Sequence, residues 1–351
     1  LKKLVHGGDI YSYNDRKIID FSANVNPLGL PRSVKKAISD NIEAYTNYPD
    51  PLSRELKQAF LKYEGITPDN IVFGNGAADI IFRLVLAIKP KKALLLAPTF
   101  SEYETALKIC DCEILHHFLT DENGFVLDDN IFNKITSDID IMFICNPNNP
   151  TGIAIEKEFV LEIAKKCLDN NIILVVDECF NEFLEHNYKY SVYSYIDEYK
   201  NIIILKAFTK TYAMAGIRLG YAFCSNKILI EKITNMLQPW SVSTVASKCG
   251  AVALGEKDYL IEAKKLIFKN RKYLICELEC FGFKVYNSMA NYIFFKADDF
   301  ELTNKLEKYG ILIRSCANYI GLEKGYYRIA VKKSCDNEFL IECLKEIVKN
   351  G

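Results

Sequence analysis

The sequence predicts an α/β fold: a central, mostly parallel sheet flanked by helices, followed by a smaller α+β unit at the C-terminal end. Three observations carry that expectation. From about residue 50 to 225, short and nearly continuous apolar runs alternate with amphipathic segments, as a parallel sheet covered on both faces requires. The unusual motifs follow those runs directly, at the carboxyl ends of strands where open parallel sheets bind ligands. Beyond about residue 256 the alternation gives way to a long helical segment and then to short strands and helices.

Residues 1–45 are too few to enclose a core, and are expected as an arm packing on both units. The larger unit is expected over 46–245 and the smaller over 246–351. In the larger unit the apolar runs Asn70–Phe73, Ala93–Ala97, Ile139–Cys145, Ile172–Val176, Asn201–Leu205 and Gly220–Cys224 read as strands. Between them, Ile80–Ile88 reads as an apolar helix. In Phe159–Leu168 the residues Phe159, Val160, Ile163, Cys167 and Leu168 recur at helical spacing. In the smaller unit the strands are expected at Tyr292–Lys296, Ile311–Arg314 and Tyr327–Val331, with a closing helix.

Composition narrows the function classes. At 351 residues the chain suggests about two domains. Its 44 Lys and Arg nearly cancel 45 Asp and Glu, which argues against a nucleic-acid coat or a polybasic membrane surface but leaves room for a local phosphate pocket. No run of eighteen apolar residues is present, so no membrane span is expected. The first residues carry no apolar leader, and twelve cysteines then read as reduced thiols, so a cytoplasmic location is expected. Cys110 and Cys112 have no second pair or His cluster near them, so no metal site is expected.

Four motifs close strands. Gly74-Asn75-Gly76-Ala77-Ala78-Asp79 runs into a helix, whose first free N–H groups form an anion cradle. Asn146-Pro147-Asn148-Asn149-Pro150-Thr151-Gly152 follows the third run, and alone would read as a turn. Asp177 ends a wholly apolar run, where an unpartnered carboxylate would be costly, so a cationic partner is expected. Thr209-Lys210 follows the fifth run, with Arg218 eight residues on. A lysine is ordinarily a solvated surface group, and here its company argues otherwise. A phosphate cradle, a buried carboxylate, an amide and a lysine together suit pyridoxal 5′-phosphate. Lys210 would hold its aldehyde as a Schiff base, Asp177 its ring nitrogen, Asn149 its phenolic oxygen and Arg218 its phosphate. A dinucleotide-binding oxidoreductase fits less well. Asp79 stands where the third glycine of that fingerprint belongs, and Lys210 would have no role. A non-catalytic sensor built on the same fold would need a partner domain for which 351 residues leave no room.

Asn149-Pro150-Thr151-Gly152, Asp177, Lys210 and Arg218, in this order and spacing, resemble the fold-type I pyridoxal-phosphate aminotransferase superfamily over essentially the whole chain. The resemblance implies a homodimer in which Tyr48 reaches the cofactor phosphate of the neighbouring subunit. It implies that Phe100 stacks on the pyridine ring, that Gly76, Ala77, Ala78 and Thr209 help hold the phosphate, and that Arg328 grips the substrate carboxylate. One departure is Ala207, where most members place a serine or threonine on the cofactor phosphate.

Within the superfamily two relatives compete, the histidinol-phosphate aminotransferases and the threonine-phosphate decarboxylases of cobalamin biosynthesis. The stretches His6-Gly7-Gly8-Asp9, Phe21–Gly29, Arg314–Leu322 and Arg328–Lys332 are similar to the decarboxylases. Phe180 stands where the aminotransferases usually carry a tyrosine bonded to the cofactor phenolate, which leaves Asn149 as its main partner. By this resemblance His6, Asn24 and Arg314 line a pocket for the substrate phosphate, a donor set suited to a dianion. The expected reaction is decarboxylation of O-phospho-L-threonine to (R)-1-aminopropan-2-yl phosphate. The alternative is amino transfer between histidinol phosphate and 2-oxoglutarate.

Overall fold

The computed structural model describes residues 6–13 and 18–349. Strand β1 (Ile19–Asp20) precedes the seven that build the large sheet: β2 (Ile71–Gly74), β3 (Lys92–Ala97), β4 (Glu113–Phe118), β5 (Ile141–Cys145), β6 (Ile173–Asp177), β7 (Ile202–Ala207) and β8 (Gly220–Phe223). Their order is β2-β8-β7-β6-β5-β3-β4, and only β8 runs antiparallel to its neighbours. Every residue of β5 is buried, and the sheet's alternate side chains feed two separate cores. Leu94, Met142, Leu174 and Ile202 pack on one face, while Leu95, Phe143, Val175 and Ile203 pack on the other. Such two-sided burial is why these strands are uninterrupted apolar runs.

Two strand expectations need correction. β4 lies outside the expected strands: Glu-Ile-Leu-His-His-Phe is a half-exposed edge, and its polar residues hide the apolar pattern. The single strand expected over Ile311–Arg314 is two. β11 (Ile311–Leu312) pairs in parallel with β1, and β12 (Arg314–Ser315) turns away at buried Ile313 to join the small sheet. That sheet also holds β9 (Lys284–Val285), β10 (Tyr292–Lys296) and β13 (Tyr326–Ala330), in the order β12-β13-β10-β9 and all antiparallel. The long helix Lys257–Cys280 and the closing helix Ser334–Lys349 supply Ile267, Leu274, Leu340 and Leu344 to its core.

The N-terminal segment touches both sheets. Through β1 and Phe21 it packs on the small one, while Val34 enters the core of the large one and the Asn26 amide donates to the Thr211 carbonyl at 2.8 Å. No helix among the described residues is long and apolar enough to cross a membrane.

A polar clasp joins the two sheets. Asp121, in the turn after β4, accepts from the Tyr286 hydroxyl at 2.6 Å, the Tyr326 hydroxyl at 3.0 Å, Lys296 at 3.4 Å and Lys284. Burial pushes its carboxyl up, but the bonds from Lys284, Tyr286 and Tyr326 outweigh burial and hold it well below the usual range. Its stabilising contribution is complete above about pH 4, the ordinary carboxylate value, and is lost as pH falls toward the depressed one. Asp121→Ala should cost about 2 kcal/mol at pH 7. Urea unfolding should show the gap between variant and parent shrinking in acid.

Candidate active site

The carboxyl ends of β2, β5, β6 and β7 meet the small sheet and the N-terminal arm around one cavity of about 390 Å³. Its lining includes Ala77, Ala78, Phe100, Asn149, Asp177, Thr209, Lys210 and Arg218 from the large-sheet side. Arg314 and Arg328 enter from the small sheet, and His6 and Asn24 from the arm. Of the residues expected at a site, only two lie elsewhere. Gly76 does not border the cavity: it holds φ +87°, and a Cβ there would meet Arg218 Nη2 at 2.4 Å. It is needed because the guanidinium crosses its backbone. Tyr48 stands outside its own chain's cavity, 80 % exposed and stacked on Trp240 at 4.6 Å.

One end of the cavity is built for an anion. The helix Ala77–Ile88 starts there without a side-chain cap, so the backbone N–H groups of Ala77 and Ala78 face the cavity mouth unclaimed by the helix. β8 lies so close to this helix start that a Cβ on Gly220 would sit 2.2 Å from the Ala77 nitrogen. Arg218 donates to the Ala215 carbonyl at 3.1 Å, and among the described residues no carboxylate pairs with it. Asp79 turns back to accept from the Asn75 N–H at 3.0 Å and to pair with Arg83, rather than facing the cavity.

At the centre sits Asp177, 5 % exposed. Its carboxylate accepts from the Tyr103 hydroxyl at 2.6 Å and the Cys179 N–H at 3.0 Å. Among the described residues no cationic side chain pairs with it, and its hydrogen-bond donors are Tyr103 and Cys179. Lys210, in the short helix Phe208–Thr211 after β7, holds its Nζ 5.8 Å from the centre of the Phe180 ring. Burial, then the Arg328 and Arg218 charges, pull its pKa down to about 8. Asn149 accepts through Oδ1 from Arg328 and from the Tyr319 hydroxyl, which leaves its N–H₂ group for a bound acceptor. Phe100 lies edge-on to Tyr103 at 5.5 Å and forms a wall. An anion cradle, an uncompensated buried carboxylate, a neutralisable amine and a free amide donor match the phosphate, ring nitrogen, aldehyde and phenolic oxygen of pyridoxal phosphate. The residues fit that group.

The other end is cationic too. Arg314 and Arg328 are directly opposed in the β12–β13 register, and both reach the cavity. Two guanidiniums on one wall give this end of the cavity a positive field that favours anions. Arg328 is 6 % exposed and is held by the Ser22 carbonyl at 2.8 Å and by Asn149 Oδ1. With its oxygen turned inward, the Asn24 amide accepts from Arg328 Nε at 3.2 Å and Nη1 at 3.3 Å. Arg314 donates to Asn318 at 2.7 Å and lies over the Tyr319 ring. His6 meets Glu102 Oε1 at 2.8 Å through Nε2, while the Gly8 N–H donates to Ser22 Oγ and so docks the arm. Sequence reasoning missed Glu102, Tyr103, Tyr319 and Ser22. Nothing local distinguishes Tyr103 among 21 tyrosines, because its partner is 74 positions away.

Comparison with known proteins follows the same lines. Residues 16–346 match the family described as aminotransferase class I and II. The chain is 35% identical to the threonine-phosphate decarboxylase of Salmonella typhimurium, over 98% of this chain and 96% of that protein. It is also 35% identical to the histidinol-phosphate aminotransferase of a Thermoanaerobacter species, over 93% of this chain and 92% of that protein. The solved histidinol-phosphate aminotransferase from Clostridium acetobutylicum superposes with a TM-score of 0.88 at 32% identity, covering 94% of this chain and 99% of that one.

Proposed function

This chain belongs to the family of class I and II aminotransferases, which are pyridoxal-phosphate enzymes, and from that premise we propose that it decarboxylates O-phospho-L-threonine. The observation that carries this reading is the opposed pair Arg314 and Arg328 on one cavity wall. O-phospho-L-threonine carries a carboxylate and a phosphate on one small skeleton, one anion for each guanidinium. Histidinol phosphate carries only the phosphate, so in amino transfer Arg328 would meet a carboxylate only in the half-reaction with 2-oxoglutarate.

The roles follow from position. The Ala77 and Ala78 N–H groups, Arg218 and the Thr209 hydroxyl would hold the cofactor phosphate, and Phe100 would cover the ring. Asp177 would keep a proton on the ring nitrogen, and Asn149 would donate to the phenolic oxygen. When bound, pyridoxal phosphate supplies an electron sink for the bond broken at the substrate Cα. Arg328, fixed by Ser22 and Asn149, would hold the substrate carboxylate and so orient the Cα–carboxylate bond. His6, Asn24 and Arg314 take the phosphate. Lys210, whose pKa its surroundings lower to about 8, would hold the cofactor aldehyde before substrate binds and, once displaced, would carry a proton within reach of the substrate Cα. Phe180 keeps the wall beside Lys210 apolar, packed edge-on against Tyr292 at 5.0 Å. The exposed pair Tyr48 and Trp240 supports a second copy of the chain covering this surface, with Tyr48 serving the neighbouring site. The product, the phosphate ester of an amino alcohol, suits a place in cobalamin biosynthesis.

Arg314→Ala and Arg328→Ala test the division of labour. Arg314→Ala should lower kcat/KM for O-phospho-L-threonine by about 100-fold, the loss of a charge-assisted contact, while changing the slow turnover of free threonine little. Arg328→Ala should lower both alike. Equal losses on both substrates for Arg314→Ala would contradict the assignment.

A further inference from the structure

We propose that Tyr103 is a positioning residue that fixes the proton on the cofactor's ring nitrogen by hydrogen-bonding the far oxygen of Asp177. This rests on the reading that Asp177 faces that nitrogen.

The geometry is specific. Tyr103 is wholly buried, stacked on Phe143 at 4.8 Å and edge-on to Phe100 at 5.5 Å, so its ring has no freedom to turn away. Its hydroxyl reaches Asp177 Oδ2 at 2.6 Å, the length of a charge-assisted O–H···O⁻ bond. The Cys179 N–H binds Oδ1, and the Cys179 thiol also hydrogen-bonds the carboxylate. Asp177 nonetheless borders the cavity, so its remaining lone pairs are available to a bound group. A carboxylate with 5 % exposure and no cation beside it is costly unless donors face it. The Tyr103 bond stabilises the anion. Burial, then the Asp177 charge, push the tyrosine hydroxyl well above its ordinary range, so it remains a donor at every working pH.

The consequence lies in how one proton is shared. Between a ring nitrogen and a carboxylate, the proton sits on the nitrogen only while the carboxylate is the weaker base. Tyr103 weakens that base from the side away from the cavity, without touching cofactor or substrate. Its loss should move the proton toward Asp177 and reduce the ring's positive charge.

Tyr103→Phe removes one oxygen and keeps the stacked ring. The readout is the ¹⁵N chemical shift of the ring nitrogen in protein loaded with ¹⁵N-labelled pyridoxal phosphate, without substrate. In the parent it should lie in the pyridinium range, in Tyr103→Phe it should move downfield toward neutral pyridine, and the cofactor dissociation constant should rise about tenfold. In an Asp177→Asn background the same change should move neither quantity further. Should the phenylalanine variant fail to fold or load, 3-fluorotyrosine placed at position 103 provides the opposite arm. Its more acidic hydroxyl is a stronger donor and should move the shift upfield. An unchanged shift in Tyr103→Phe, or an equal shift in the Asp177→Asn background, would overturn the proposal. A pyridinium shift that survives in Asp177→Asn alone would instead overturn the placement of Asp177.

Discussion

Lys210→Ala should purify without the visible absorption band of the bound cofactor, form no borohydride-reducible adduct at that position, and lose turnover by on the order of 10⁴-fold or more. Lys210 lines the same cavity as Asp177 and the two guanidiniums of the small sheet. Its depressed pKa adds a second arm to the measurement. Below about pH 8 the side chain is mostly ammonium and is not a nucleophile; above that value it is mostly free amine. Loading of apoprotein with pyridoxal phosphate should therefore speed up as pH rises through about 8 and then level off. A lysine at its ordinary value would keep accelerating past pH 10. A reducible adduct that persists in the alanine variant would place the reactive lysine elsewhere.

Asp177→Asn carries the next largest expected effect. The amide keeps the size of the side chain and can still hydrogen-bond, but it cannot carry the negative charge that, on the proposed reading, would hold a proton on the ring nitrogen. Cofactor should bind, and turnover should fall by on the order of 10²–10³-fold, the cost of losing one electrostatic partner of the developing charge. The substrate KM should change far less, because Arg314 and Arg328 are untouched. Full turnover in a folded, loaded variant would show that the carboxylate has no such role.

Much of the sheet was legible because burial on both faces leaves an unbroken apolar signature. Ile141–Cys145 and Ile202–Leu205 could hardly be anything but interior strands. The edge strand Glu113–Phe118 was not, since one side of it meets solvent and His116 and His117 interrupt the pattern. The turn at Ile313 was also hidden: both halves of 311–315 are strand-like in composition, and what divides them is a choice of different partners, β1 and β13. At the site, Asp177, Lys210, Asn149 and the Gly74–Asp79 turn could be read because each closes a strand, where topology alone gathers them. Glu102, Tyr103, Ser22 and Tyr319 act through partners far along the chain, and residue type carries no trace of such contacts. Gly76, which the resemblance places at the cofactor phosphate, holds a positive φ, and a Cβ there would meet Arg218.

The measurement that bears most directly on the reaction is carbon dioxide release. Purified protein loaded with pyridoxal phosphate is given O-phospho-L-threonine with no 2-oxo acid; a second mixture contains histidinol phosphate and 2-oxoglutarate. A decarboxylase releases carbon dioxide in the first over many turnovers and forms no glutamate in the second. Glutamate in the second mixture with no carbon dioxide in the first would contradict this account and make the chain an aminotransferase.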